Sequence, residues 1–320
     1  MSLLHVNDLA VGFAAGGNCA PAVDGVSFNL NRGETLALVG ESGCGKSAAA
    51  LSLLRLIPNP PGKILRGEVW FEDRDLMTLS EKEIAAIRGN RIGMVFQEPM
   101  TALNPVMRIG AQIAEPLRLH RGMRKKDALA LAADLLNEVG IPRAQNRLRD
   151  FPHQLSGGMR QRVVIAMAVA CEPDVVIADE PTTALDVTVQ QQVFQLLMRV
   201  TTQQGRGLLL ISHDLGVVYD IADSVAVMYA GKIVEQAKTA SLFANPKHPY
   251  TRGLMLSRPR LNAQSRHERL PSIRGVVPSL DKRPAGCLFR DRCDFAAPRC
   301  ENSPPFAEAE AGHFTRCWLG

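Results

Sequence analysis

The chain has 320 residues, of which 46% are apolar and 22% are charged, ordinary values for a globular protein with a buried core. Its longest uninterrupted apolar run, Val163 to Cys171, is nine residues long and far too short to cross a membrane as a helix. The first ten residues include Asp8 and no basic leader, so we expect no secretory signal. These features exclude an integral membrane protein and a secreted disulfide scaffold, and they predict a cytosolic α/β chain.

The net charge of +5 comes from the end of the chain. Residues 1–250 contain 25 lysines and arginines against 25 aspartates and glutamates, whereas residues 251–320 contain 12 against 7. A neutral main body lacks the basic surface of nucleic-acid-binding proteins, so we expect no nucleic-acid partner. Four of the seven cysteines also fall in the last 34 residues. We therefore predict a large domain at 1–250 and a small Cys-rich one at 251–320.

Short apolar runs alternate with helical stretches over the first 250 residues, which predicts a mostly parallel sheet wrapped by helices. The predicted strands are 35–39, 92–96, 175–178 and 208–211. The last two are apolar on both faces, as a central parallel strand requires. Residues from about 100 to 165 are predicted to form a helical subdomain, in which 128–139 has a clear helical period.

A phosphate-loop motif, GESGCGKS at 40–47, follows the first predicted strand and opens a helical stretch that ends before Pro58. This context supports the G-x4-G-K-[ST] motif, whose glycines let backbone N–H groups point at phosphate oxygens. Lys46 is expected to pair with the β- and γ-phosphates, and Ser47 to coordinate Mg²⁺. The residues predicted to bind the nucleotide here are Gly40, Glu41, Ser42, Gly43, Cys44, Gly45, Lys46, Ser47 and Ala48.

Polar residues follow three further predicted strands. Gln97 ends RIGMVFQ, Asp179 and Glu180 end VVIADE, and His213 follows LLLIS. Ligands bind at the carboxyl ends of strands in such sheets, where Asp179 can hold hydrated Mg²⁺ and Glu180 can polarise a water molecule. Each residue alone has an ordinary structural explanation, such as a cap or a solvated turn. The phosphate loop in the same sheet favours the functional interpretation.

The segment LSGGMRQR at 155–162 predicts a second anion site. Ser156 is a good N-cap, and Gly157 and Gly158 free the backbone N–H groups at the start of a helix. Because the phosphate loop already surrounds one nucleotide, this helix is predicted to complete a site on another chain. A well-capped core helix explains the same residues equally well.

Taken in order, these motifs resemble those of the ATP-binding cassette subunits of ABC transporters over about residues 1–250. The resemblance implies the P-loop ABC-ATPase fold, with a mostly parallel sheet, a helical subdomain and an antiparallel β edge. It implies a head-to-tail dimer that holds ATP between one chain's phosphate loop and its partner's LSGG segment. Glu180 would then be the general base, His213 would contact the γ-phosphate, and Gln97 would link the metal, the water and the membrane subunit.

The same resemblance implies further contacts with the nucleotide. Phe13 would stack on adenine, and Asp186 in the loop 184–186 would contribute to the nucleotide site. The implied Mg²⁺ ligands are Ser47, Gln97 and Asp179. Cys44 departs from the family pattern, which often has serine there. Since Cys44 lies near a helix N-terminus and a lysine, we expect a thiolate whose alkylation blocks ATPase activity and which ATP protects.

Four segments resemble ATPases of oligopeptide, dipeptide and nickel importers: EPMTALNP at 98–105, HPYT at 248–251, IRGVVPSL at 273–280 and GCLFRDRC at 286–293. The resemblance implies an ATP-hydrolysing subunit at the cytoplasmic face of the membrane that powers import of a peptide, a nickel complex or a related small solute. It also implies two membrane permease subunits, a second ATPase that is a paralogue, and an external substrate-binding protein.

The C-terminal cysteines are spaced C-x5-C-x6-C-x16-C, at Cys287, Cys293, Cys300 and Cys317. Cytosolic thiols stay reduced, so this cluster favours a metal site over disulfides. Four thiolates suit a [4Fe–4S] cluster. The resemblance implies the same cluster, because importer ATPases with a similar C-terminal extension carry one. The arginines that would offset an anionic cluster are Arg290, Arg292 and Arg299. A Zn²⁺ site that includes His313 and a set of unliganded buried thiols are the alternatives.

Two other functions are compatible with a cassette. A non-transport ABC ATPase would be expected to have coiled-coil arms, two cassettes or a basic nucleic-acid face, and the sequence has no sign of these. A scaffold without hydrolysis is disfavoured because Lys46, Asp179, Glu180 and His213 are all present.

Overall fold

A computed structural model describes residues 2–15, 18–183, 185–257 and 272–319. The described chain divides into two compact units. The first is formed from the ranges Met1–Leu4, Leu30–Thr35 and Thr78–Ile211, and the second from His5–Asn29, Leu36–Met77 and Ser212–Gly320. None of the described helices is both long enough and apolar enough to span a membrane.

The strands of the described residues begin and end as follows in chain order: β1 (Leu4–Ala15), β2 (Asn18–Leu30), β3 (Thr35–Val39), β4 (Gly62–Phe71), β5 (Arg74–Asp75), β6 (Ile92–Val95), β7 (Val175–Asp179), β8 (Gly207–Ser212), β9 (Ser224–Tyr229), β10 (Lys232–Lys238), β11 (Ala307–Glu310) and β12 (His313–Thr315).

The α-helices of the same residues are α1 (Lys46–Leu53), α2 (Glu81–Ile87), α3 (Pro99–Ala102), α4 (Ile109–Arg121), α5 (Lys125–Glu138), α6 (Ala144–Arg147), α7 (Gly157–Val169), α8 (Val187–Val200), α9 (Leu215–Ile221), α10 (Thr239–Ala244) and α11 (Pro249–Leu256). Short 3₁₀ turns occur at Pro152–Gln154, Thr202–Gln204, Leu280–Lys282, Arg290–Arg292 and Pro298–Glu301.

The first unit contains three parallel strands in the order β8-β7-β6, together with helices α2 to α8. Every residue of β7 and β8 is buried, which confirms the prediction from their continuous apolar sequences. The predicted helical stretch 128–139 is found as α5, which packs against α4 and α7. The polar residues predicted at the carboxyl ends of β7 and β8 therefore come directly after runs of buried strand residues.

The second unit contains two groups of strands. One is the sheet β2-β1-β4-β5. The other has the order β11-β12-β10-β9-β3, in which β3 and β9 are parallel and the pairs β9–β10, β10–β12 and β11–β12 are antiparallel. The C-terminal strands thus extend this sheet by direct pairing with β10. Phe289 also packs in the core cluster formed by β3, β9, β10 and α11.

A buried carboxylate connects three elements of the second unit. Glu235 of β10 has no exposed surface and accepts hydrogen bonds from the backbone N–H groups of Lys247 at 2.6 Å and His248 at 2.9 Å. Its Oε1 atom also lies 2.7 Å from Nε2 of His313 in β12. One side chain therefore connects the start of α11 and the last strand to β10.

We expect Glu235→Ala to destabilise the second unit strongly. The change leaves the buried N–H of His248, the partly buried N–H of Lys247 and the imidazole of His313 without their acceptor, which costs about 3–5 kcal/mol by analogy with broken buried pairs. Urea unfolding measures this loss. Glu115→Ala on the exposed face of α4 is the control and should change stability by less than about 0.5 kcal/mol. Equal stabilities of the two variants would contradict this role of Glu235.

Candidate nucleotide site

The phosphate loop connects β3 to α1, and two of its glycines occupy positions that no side chain could take. A Cβ atom on Gly40 would lie 2.2 Å from the carbonyl oxygen of Met228, and one on Gly45 would lie 2.7 Å from that of Ala22. Gly45 also has a φ of +106°, where L-residues are strained. The loop therefore rests directly on neighbouring backbone.

Lys46 begins α1 and curls back over the loop. Its Nζ atom donates to the carbonyl oxygens of Gly40 at 2.9 Å and Glu41 at 3.0 Å, and the residue is only 4% exposed. A buried ammonium group within a glycine loop at a helix N-terminus has the chemistry that phosphate requires. The residues present therefore fit the triphosphate of a nucleotide.

Glu180 is held by hydrogen bonds of its side chain and its backbone within the first unit. Its Oε2 atom accepts from Nε2 of Gln97 at 3.2 Å and from Oγ1 of Thr183 at 3.3 Å, and its N–H donates to Ile211 at 3.0 Å. The backbone of Glu180 has a φ of +43°, a strained conformation for a residue with a side chain. The structure thus brings Gln97 and Glu180 together, as expected for residues that follow neighbouring strands. Asp179, the last residue of β7, is buried.

The LSGG segment forms the start of α7. Ser156 is the N-cap and accepts from the N–H of Met159 at 3.4 Å, as predicted. A Cβ atom on Gly158 would lie 2.8 Å from Val189 of α8, so this glycine permits close packing of two helix starts. Asp186 caps α8 by accepting from the N–H of Val189 at 3.0 Å. Ser156 and Gly157 are exposed.

Phe13 and His213 are two further residues predicted to bind the nucleotide. Phe13 is half-buried in β1, where its ring lies close to Gly62 at the start of β4. His213 follows β8 with an exposed side chain. Ala184, in the predicted 184–186 loop, is not among the described residues. The roles of Phe13, His213 and Asp186 at the nucleotide stay predictions.

Two known families match this chain. Residues 23–183 match the ABC transporter family, and residues 234–300 match the oligopeptide/dipeptide transporter C-terminal region. This chain belongs to the ABC transporter ATP-binding proteins. It is an ABC-type ATPase of the transporter class.

Individual relatives are similar over almost the whole chain. A probable peptide ABC transporter ATP-binding protein of Sinorhizobium fredii is 49% identical over 99% of this chain and 94% of its own length. The oligopeptide transport ATP-binding protein AppD of Bacillus subtilis is 48% identical over 99% of this chain and 97% of its own. A solved dimeric ABC cassette, MJ0796 bound to ADP and Pi, superposes with a TM-score of 0.66 at 27% identity, over 74% of this chain and 98% of that one.

The expectation of a reactive Cys44 thiolate in this ABC ATPase is wrong. Cys44 has no exposed surface, and burial raises the pKa of its thiol although Lys46 acts in the opposite direction. Its Sγ atom lies beneath the loop, where a Cβ atom on Gly40 would approach it to 2.8 Å. Desolvation therefore outweighs the nearby positive charge.

The four C-terminal cysteines line one cavity of the second unit. None forms a disulfide, and burial raises the pKa of the thiols of Cys287, Cys293 and Cys317. Four thiols around one cavity are a suitable donor set for an iron–sulfur cluster or zinc. However, among the described residues no three His, Cys, Asp or Glu side chains are arranged to hold a metal ion. His313 is bound to Glu235 and does not line this cavity.

Two contacts to the phosphate loop involve residues that were not predicted to belong to the nucleotide site. The hydroxyl of Tyr250 accepts from the N–H of Glu41 at 2.8 Å, and the guanidinium of Arg292 binds the Glu41 carboxylate. Arg292 was expected to offset the charge of a metal cluster, but its side chain donates hydrogen bonds to Glu41, Tyr229 and the backbone carbonyls of Arg274 and Gly275. The only signals were the resemblance of HPYT, which contains Tyr250, and of GCLFRDRC, which contains Arg292, to segments of importer ATPases.

We expect Cys44 to resist alkylation in the folded protein, with or without ATP. A buried, protonated thiol reacts slowly with maleimides, whereas the exposed Cys19 should react within the same experiment. Mass spectrometry of peptides after timed labelling measures both rates. Labelling of Cys44 as fast as that of Cys19, and slowed by ATP, would restore the original expectation.

Proposed function

We propose that this ATPase powers an importer for peptides or a related small solute. The observation that carries the proposal is the match over almost the whole length to relatives named as peptide transport ATP-binding proteins, together with the oligopeptide/dipeptide C-terminal region. A non-transport ABC ATPase has no comparable support. The choice between peptide and nickel complex depends on the substrate-binding protein and the permeases.

In the proposed reaction the phosphate loop binds the triphosphate through its backbone N–H groups and Lys46. Ser47, Asp179 and Gln97 would hold Mg²⁺, which neutralises charge on the phosphate oxygens. Glu180 takes a proton from the attacking water, and its hydrogen bond from Gln97 supports the correct orientation of the carboxylate. His213 would contact the γ-phosphate.

The LSGG segment is proposed to complete the nucleotide site of a second ATPase. Its support is the exposure of Ser156 and Gly157 at the start of the 13-residue helix α7, where backbone N–H groups and the helix dipole favour an anion. The second ATPase is proposed to be a paralogue, so that the two chains form a heterodimer.

Two permease subunits and an external substrate-binding protein would complete the transporter, with this chain at the cytoplasmic face of the membrane. Exposed apolar side chains in the segment 96–106, which contains Gln97, support such a contact. Phe96 is 37% exposed, Met100 51% and Val106 79%. Apolar side chains at this density favour a protein partner.

For the C-terminal part we propose a domain that begins near residue 251 and holds a [4Fe–4S] cluster, with Zn²⁺ as the alternative. The support is the common cavity of the four cysteines, with Arg290 and Arg299 in its lining. A bound cluster would act as a structural crosslink between the segments that carry the thiolates.

Glu180→Gln should abolish turnover without abolishing ATP binding. The amide keeps an oxygen that can accept from Gln97 but cannot take a proton, so kcat should fall by about 10²–10⁴-fold. Phosphate release from the protein with its permeases measures the loss, and light scattering should detect an ATP-dependent dimer of ATPase subunits. The exposed Glu172→Gln is the control. Turnover in Glu180→Gln near that of the control would refute the assigned base.

Anaerobically purified protein should contain iron and acid-labile sulfide in equal amounts and should be brown. Cys293→Ser should lose both, because a thiolate ligand is removed, whereas Cys19→Ser should keep them. Elemental analysis decides between the alternatives. Stoichiometric zinc without iron would replace the cluster by a zinc site, and absence of any metal would reject both.

A further inference from the structure

A salt bridge within the second unit connects the C-terminal segment to the phosphate loop. Arg292 donates through both terminal nitrogens to the carboxylate of Glu41, at 2.6 and 2.9 Å. The Arg292 side chain is 6% exposed and that of Glu41 is 30% exposed. This bidentate geometry is stronger than a single hydrogen bond between arginine and carboxylate, and burial of the guanidinium reduces screening of the pair by salt.

Arg292 is itself held in place on several sides. Its Nε atom donates to the carbonyl oxygen of Arg274 at 2.6 Å. Its guanidinium lies over the rings of Tyr229 and Phe289, with 5.6 and 5.8 Å to the ring centroids. A side chain fixed in this way can hold Glu41 with little further loss of conformational entropy.

Glu41 connects this arginine to the lysine of the loop. Its N–H donates to the hydroxyl of Tyr250 at 2.8 Å, and its carbonyl oxygen accepts from Nζ of Lys46 at 3.0 Å. The position of the Glu41 backbone therefore influences where the Lys46 ammonium group lies. Arg292 binds the side-chain carboxylate of the same residue.

The charge of Glu41 makes this pairing important. A carboxylate in the second residue of a phosphate loop repels a triphosphate, and in a partly buried site this repulsion is only weakly screened. A guanidinium that binds both carboxylate oxygens cancels most of that charge and keeps the side chain in one orientation.

We propose that Arg292 is a positioning residue for ATP binding, which neutralises Glu41 and fixes the start of the phosphate loop. The inference rests on the proposed assignment of residues 40–48 to the nucleotide. It gives the C-terminal segment a role in the affinity for ATP, separate from any metal that the four cysteines bind.

The test is a double-mutant cycle with fluorescent ATP binding as the readout. In Arg292→Gln the Kd for ATP should rise about tenfold, which corresponds to about 1.4 kcal/mol, because Glu41 is left unpaired beside the phosphates. In Glu41→Gln/Arg292→Gln the repulsive charge is gone, so the double variant should bind ATP more tightly than Arg292→Gln alone. Arg292→Lys keeps the positive charge but cannot donate to both carboxylate oxygens in the same geometry, so it should raise the Kd for ATP by about threefold.

Hydrogen exchange of the backbone at 40–47 is the second readout, and protection should fall in Arg292→Gln before ATP is added. Arg274→Gln is the matched control, since it removes a positive charge from the same segment and its side chain is 85% exposed. This control should leave Kd and exchange unchanged. If Arg292→Gln does not fold, Arg292→Lys and the variants with Glu41→Gln decide the question.

Two results would overturn the inference. One is an Arg292→Gln or Arg292→Lys protein with the Kd and exchange of the unchanged chain. The other is a double variant that binds ATP no better than Arg292→Gln, which would indicate a general loss of structure. Lys46→Ala separates this inference from the proposed site. If Lys46→Ala binds ATP with an unchanged Kd, the assignment of the loop to the nucleotide fails. If Lys46→Ala loses ATP binding while Arg292→Gln keeps an unchanged Kd, only the role of Arg292 is refuted.

Discussion

The close contact between the phosphate loop and the backbone beneath it is the constraint on which the nucleotide site depends. Gly40 rests on Met228 at the end of β9, Gly45 rests on Ala22 in β2, and the N–H of Gly231 donates to Cys44 at 2.8 Å. Since these contacts are between main chains, they fix the curve of the loop without long side chains. A loop held in this way is already ordered before a phosphate binds, so binding does not include the entropic cost of ordering it.

The residues under the loop also belong to the core that includes the C-terminal segment. The rings of Tyr229, Tyr250 and Phe289 form a cluster with centroids 4.7 to 5.4 Å apart. Tyr250 and Tyr229 reach the loop through Glu41 and Arg292, and Phe289 lies between two of the cysteines in sequence. Within the second unit, the same aromatic cluster therefore packs against the nucleotide loop and the Cys-rich segment.

The sequence was sufficient for features that depend on neighbours along the chain. The strands 35–39 and 175–178, and the Ser156 cap, are found as predicted because apolar runs and capping chemistry are local. Helix α1 ends at Leu53, earlier than Pro58 suggested, where Arg55 adopts a φ of +53°. Here the backbone beyond the helix, and not the proline, determines the end.

Features that depend on distant residues could not be predicted in this way. The neighbours of Cys44 in sequence favour a thiolate, but burial by β9 and the loop above it raises the pKa of the thiol. The pair of Glu41 and Arg292 joins residues 251 positions apart. No motif relates the two, so Arg292 was interpreted through its nearest cysteine.

The proposed chemistry needs the general base Glu180 and the LSGG segment at the start of α7, and one chain completes the surroundings of the first but not of the second. Glu180 is held at a positive φ by bonds from its own unit, a conformation that costs of order 1–3 kcal/mol and persists only where surrounding contacts enforce it. The start of α7 is capped and packed on α8, yet Ser156 and Gly157 remain exposed. Helix N–H groups that are ordered but exposed have little to gain from further folding of their own chain. A helix start of this kind favours an anion, and the second ATPase that we propose would supply one through its own bound triphosphate.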